Sequence, residues 1–288
     1  MSSSKDMDID DIISNLSQKH YLFGKDELSP SEIKQVKKQA KDLRGTYGVA
    51  APIGKNIFSM ISQNDDIIFQ LQDFKDSDVD AMIIKYSKDS IRKYIVINSE
   101  KPLINQIFAA AHEFYHYQFS FNGTTRDSFV CSFDKNDKEE IKANRFAAEF
   151  LLPEEALKSE LEGFHKFQTK YDEQPVVNQI VFCFSLVFKY ALPLKAVLYR
   201  LQEENIFSTD FLLKHYSEVK EILLDFVKEH ESLKELYSKK NNYINEQLYN
   251  LVPFLYNKGR LDDSTVDSII DKFDLSESQI KGGLIKDE

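Results

Sequence analysis

The stretch IFAAAHEFYHYQF, residues 107–119, carries two histidines four positions apart with a glutamate directly after the first. On an α-helix, positions i and i+4 share one face about one turn apart, so His112 and His116 can aim two imidazole nitrogens at one ion. Glu113 lies about 100° around such a helix from His112, beside the ion rather than on it. There its carboxylate can take a proton from a metal-activated water. Zinc suits the pattern because it accepts neutral imidazole at about 2.0–2.1 Å without strict geometric demands. It also lowers the pKa of a bound water to about 7. The competing reading is an aromatic-rich core helix with histidines at its margin. Ala109, Ala110 and Ala111 weaken it, since small side chains let a neighbouring element approach closely, as a packed catalytic helix requires.

A catalytic zinc takes three protein ligands and keeps one position open. His20, His165, His215 and His230 sit singly in polar or helical surroundings and read as surface or satisfied histidines. Glu140, at the start of the next helix, is the better third candidate. Asn144 follows four residues later on the same face, where its amide can hold a ligand in place. Glu139 is the main competitor, with Asp137 behind it. Glu149, nine residues from Glu140, falls on the opposite face and reads as exposed. For an oxyanion stabiliser, Tyr115, Tyr117, Arg145 and His165 all offer donors, and the sequence gives no reason to choose among them.

The chain has 288 residues, enough for one large domain or two ordinary ones. Its formal net charge of −10 argues against broad, sequence-independent binding to nucleic acid or anionic membrane. Cys131 and Cys183 sit among apolar residues and read as packed free thiols. The opening MSSSKDMDIDDII has no apolar run behind a basic start, unlike a signal peptide. No apolar segment approaches the roughly 20 residues of a membrane span. The expectation is a cytoplasmic protein.

Apolar residues at helical spacing suggest an amphipathic helix over residues 5–18. A second helix follows, with Ser29 as N-cap, Pro30 at its first position, Glu32 completing a capping box and Gly45 as its stop. DIIFQLQ, VDAMIIKYS and KYIVINS read as three strands. The histidine helix comes next, with Pro102 in its first turn. Residues 120–137 read as a loop with a short strand near 129–133, and from about Val176 the pattern is helical throughout. The fold class is α+β: a small sheet and the histidine helix, then a mostly helical C-terminal region. The domain boundaries suggested are 1–28, 29–172, 173–206 and 207–288.

HEFYH at 112–116, followed by EIKANRFAAEFLLP at 140–153, resembles the ImmA/IrrE family of zinc metallopeptidases. That family carries an HExxH helix and then E-x-x-A-N-x-F-A-A-x-L-L-x-P, matched here by Glu140, Ala143, Asn144, Phe146, Ala147, Ala148, Leu151 and Pro153, with Leu152 adding to the apolar run. YIVIN and ALPLKAVLYRLQEENI add to the likeness, which covers about residues 30–206. Many members have Leu-Gly where this chain has Phe114 and Tyr115, and the tail beyond 206 is unlike the family's sensory domains. The resemblance implies a zincin-like metallopeptidase domain, with zinc held by His112, His116 and Glu140 and with Glu113 as general base and proton shuttle. It also implies site-specific cleavage of a helix-turn-helix repressor, relieving repression of stress, mobile-element or phage-defence genes. The alternative is a zinc-containing module that binds a regulator without cutting it. A helix–turn–helix-like pair at 176–205 carries Lys189, Lys195, Arg200, Glu203 and Glu204, whose charges nearly cancel. Packing or substrate recognition suits it better than direct DNA binding.

Overall fold

Alternation of apolar and polar residues sets the sheet. Ile67 and Phe69 of β1 (Ile67–Gln72), Ile83 of β2 (Ala81–Tyr86), and Ile95 and Ile97 of β3 (Arg92–Asn98) are buried, while Ile68 and Tyr94 face outward. β3 lies between the other two, parallel to β1 and antiparallel to β2, with Ile95 opposite both Phe69 and Ile83. A short β4 (Ser128–Val130) joins the far edge of β2, giving the order β1-β3-β2-β4. This is a computed structural model, and it describes residues 28–50, 52–74, 79–86, 92–120, 128–130, 138–168, 175–206, 209–239, 246–273 and 275–282. The expected helix at 5–18, Cys131 and Asp137 lie outside the described residues.

Helix α1 (Pro30–Thr46) starts as its sequence dictates. The Ser29 hydroxyl accepts from the Glu32 amide, and the Glu32 carboxylate accepts from the Ser29 amide at 2.8 Å. It does not stop at Gly45. The helix continues to Thr46, and the left-handed residue that follows is Gly48, at φ +63°. Helix α2 (Asn56–Ser62) covers β1, with Phe58 stacked on Phe69. Helix α3 (Leu103–Tyr115) runs beneath β2 and β3 and is buried on nearly every side. Pro102 is its N-cap rather than a first-turn residue.

A π-helical turn, His116–Ser120, ends α3. Helix α4 (Lys138–Leu151) packs along α3 through rings: Phe146 lies 5.5 Å from Tyr115 and 5.7 Å from Phe119, and Phe114 lies 6.0 Å from Phe150. Burying a side chain such as Phe146, which has no exposed surface, contributes about 1.5–3 kcal/mol. Ala110, Ala111, Ala143 and Ala147 are fully buried, and their small size lets the two helices come together. The α4 carboxyl end is closed by Arg44 of α1, whose Nη1 donates to the Phe150 carbonyl at 2.6 Å.

Beyond Pro153 come α5 (Glu154–Gln168), α6 (Pro175–Tyr190) and α7 (Leu194–Glu203), the last two turning by 113° at Ala191. Most of α7 is core, including Ala196, Val197, Leu198, Arg200 and Leu201. Helices α8 (Asp210–Lys214), α9 (Tyr216–Glu229) and α10 (Glu231–Tyr237) share that same core, through Leu212, Val219, Leu223, Leu224, Val227 and Tyr237. Helices α11 (Glu246–Asn257), α12 (Asp263–Phe273) and α13 (Glu277–Gly282) gather around a separate small cluster of Val252, Val266, Ile270, Leu275 and Ile280. Among the described residues, no single helix is long and apolar enough to cross a membrane.

Candidate metal centre

His112 lies in the last turn of α3, His116 opens the π turn, and Glu140 lies in the first turn of α4. The pairing of α3 with α4 therefore brings three side chains to one point. His112 Nε2 is 3.1 Å from Glu140 Oε2, His116 Nε2 is 3.3 Å from Glu140 Oε1, and the two Nε2 atoms are 3.2 Å apart. Donors arranged tetrahedrally at about 2.0–2.1 Å from an ion lie about 3.3 Å from one another, so this triangle has the size of one metal ion's coordination sphere. It is the one group of its kind among the described residues.

Each histidine is held from its far side. The His112 Nδ1–H donates to Asn144 Oδ1 at 2.8 Å, and His116 Nδ1 lies 3.0 Å from Ser120 Oγ, within hydrogen-bond reach. With the proton on Nδ1, each imidazole turns its Nε2 lone pair toward the shared point. Electrostatics favour positive charge there. Burial alone would depress the pKa of His112, but the bond to Glu140, the Glu113 and Glu140 charges and the Asn144 contact raise it instead. Glu140 is also buried, yet the two histidines hold its carboxyl down at about 2. The set thus comprises two neutral-capable imidazoles and an ionised carboxylate, the donor chemistry of a divalent metal site.

Glu113 is buried, 6% exposed, and its Oε2 has no hydrogen-bond partner among the described residues. Burial pushes its pKa up, against the pull of both histidines. An unsatisfied carboxylate oxygen beside the triangle is costly to maintain for stability alone. It is suited to accepting a proton from a molecule seated between it and an ion.

Glu139 takes a different course. It accepts from Tyr115 Oη at 3.3 Å, Ser120 Oγ at 3.4 Å and Lys142 Nζ at 2.8 Å, and its carboxylate is not in the triangle. Three of the oxyanion candidates are committed elsewhere or exposed: Tyr115 to Glu139, Tyr117 Oη to Asp66 Oδ1 at 2.7 Å, and His165 on the surface of α5. The fourth, Arg145, is buried and pairs with Glu203. Glu149 is not exposed as its position in the helical pattern suggests; it is 4% exposed and lies 2.9 Å from the fully buried Arg200. Its face of α4 is opposite the histidines, but α7 covers that face. Ser120 escaped the sequence reading, although its position four residues after His116 placed it within reach of that ring.

Residues 66–202 match the family model described as the IrrE N-terminal-like domain. One curated relative is the "Uncharacterized immunity region protein 2" of Bacillus phage phi105, 38% identical over 69 residues. That alignment covers 24% of this chain and 44% of the relative, so the chain spans less than half the length of the protein it matches.

Proposed function

From the premise that residues 66–202 are an IrrE N-terminal-like domain of the ImmA/IrrE family, we propose that the chain is a zinc-dependent endopeptidase that makes a site-specific cut in a regulatory protein. The observation that carries this reading is the His112–His116–Glu140 triangle with Glu113 Oε2, unpartnered among the described residues, beside it. His112, His116 and Glu140 are the zinc ligands and Glu113 is the general base.

The chemistry a bound zinc ion supplies here is polarisation of the scissile carbonyl and acidification of a water molecule. The chain's own residues do the rest. Asn144 and Ser120 hold the imidazoles with Nε2 turned inward. Glu113 accepts the proton of the attacking water at its free Oε2 and returns it to the leaving amine, its raised pKa keeping it a usable acid once protonated. Burial, at 6% exposure, keeps bulk water from the Glu113 carboxylate.

The substrate we propose is a helix-turn-helix transcriptional repressor, cleaved to release stress, mobile-element or phage-defence genes in the cytoplasm. The family assignment and a relative named for a phage immunity region support this. A non-catalytic zinc module would call for a fourth protein ligand, and the group found among the described residues has three. Direct DNA reading by the α6–α7 pair is disfavoured because α7 is largely core and Arg200 has no exposed surface.

The test is Glu113→Gln. The variant should bind one zinc per chain, measured by elemental analysis, and lose at least about 10²-fold in the rate of repressor cleavage followed by mass spectrometry. A Gln variant that cuts at the wild-type rate removes Glu113 from the mechanism.

A further inference from the structure

The two histidines of the triangle are braced differently, and only one brace belongs to the motif resembling the ImmA/IrrE family. Asn144, which holds His112, stands in that motif; Ser120, which holds His116, does not. Ser120 ends the π turn that begins at His116, a helix irregularity often found at functional sites. Its Oγ lies 3.0 Å from His116 Nδ1. A serine hydroxyl can accept or donate, so by itself it fixes no tautomer. Here its own proton has a destination, the Glu139 Oε2 at 3.4 Å, which leaves an oxygen lone pair for the imidazole.

Glu139 is anchored in turn. Tyr115 Oη donates to the same Oε2, and Lys142 Nζ donates to Oε1 at 2.8 Å. The glutamate next to the third ligand is thereby kept out of the triangle and put to use behind it. We propose that Ser120, oriented by Glu139, is a positioning residue for His116, fixing the imidazole with its proton on Nδ1 and its Nε2 turned toward the metal. The proposal rests on the metallopeptidase reading, because it gives a purpose to His116 Nε2 only if an ion binds there.

The experiment compares full-length wild type, Ser120→Ala, Ser120→Thr and His116→Ala. Zinc affinity is measured by competition with a chromophoric chelator, and the Nδ1 proton of His116 is followed by NMR in the zinc-loaded proteins. Removing the brace should weaken zinc by about 10–100-fold, the usual cost of losing the partner behind a metal ligand. Ser120→Thr keeps the hydroxyl and should restore affinity to within a few-fold of wild type, with the slowly exchanging Nδ1 proton present; Ser120→Ala should lose that protection. Wild-type affinity in Ser120→Ala overturns the proposal, and so does an equal loss in Ala and Thr, which would trace to packing. If His116→Ala binds zinc as tightly as wild type, the metal-site reading falls first, and the proposal with it.

Discussion

Two adjacent glutamates, Glu139 and Glu140, open α4, and about 100° of helical rotation separates their fates. Glu140 turns toward α3 and meets both imidazoles; Glu139 turns to Tyr115, Ser120 and Lys142. Spacing along the chain leaves either one in reach of the histidines, and only the rotational phase of α4 against α3 separates them. That phase is set by Ile141, Ala143, Phe146, Ala147 and Phe150, all buried. A zinc-content measurement follows directly. Glu140→Ala should retain less than about a tenth of the metal of wild type after gel filtration, since two protein ligands fall short of the usual three. Glu139→Ala should retain close to one zinc per chain. Retained zinc in the first variant would reject Glu140 as a ligand.

At the scale of elements, the less visible feature is the ionic layer between α1, α4, α5 and α7. Arg200 is wholly buried, and Glu149 Oε2 lies 2.9 Å from its Nη2 without hydrogen-bond alignment, while Nη1 donates to Glu204 at 2.8 Å. Lys37 of α1 reaches both Glu204 and Glu154, and Arg145 pairs with Glu203. Glu149 has a further task, accepting the Glu154 amide at 2.9 Å as α5 begins. Arg200→Met would leave Glu149 buried without its cation, at a cost of about 3–5 kcal/mol.

Burial raises the Glu149 pKa even with Arg200 present, so the folded state holds more protons and stability falls as pH rises above the unfolded value of about 4.3. Without the guanidinium the folded pKa rises further and that window widens. Urea unfolding with chelator throughout should therefore show a larger penalty for Arg200→Met at pH 8 than at pH 5; equal penalties would mean that Glu149 is not the stranded charge. The sequence makes the histidine pair readable because its four-residue spacing is local to one helix. It hides the Arg200–Glu149 pair because that contact joins residues 51 positions apart on faces whose meeting depends on the α6–α7 turn.

On the scale of the whole molecule, the family match ends at residue 202, but the packing that holds α3 does not. The first free amide of α3, on Leu103, donates to the Ser238 carbonyl at 2.9 Å, and α10 lies against α3. Lys55 pairs with Glu235 and Lys239 with Glu100, adding two exposed ties of small individual worth. The larger contribution is the continuous core, which runs from Val36 to Tyr237. The five buried residues of the α11–α13 cluster are not part of it. We therefore place the working unit of this protein near residues 29–239, in preference to an end at 206, with 246–282 as a small appended unit. Two truncations separate these alternatives. A chain ending after Lys239 should keep the thermal transition of the main core and bind zinc within about twofold of the full chain, because no residue of the triangle or its braces is touched. A chain ending after Ile206 loses the Ser238 acceptor, the α10 face and the buried side chains Leu212, Val219, Leu223, Leu224, Val227 and Tyr237. At about 1.5–3 kcal/mol for each large buried side chain, that loss rivals the whole stability of a domain. The shorter chain should be unfolded or molten by near-ultraviolet circular dichroism and should hold no stoichiometric zinc. A folded, zinc-binding 1–206 chain would show instead that the helices after α7 are accessory to the metal centre.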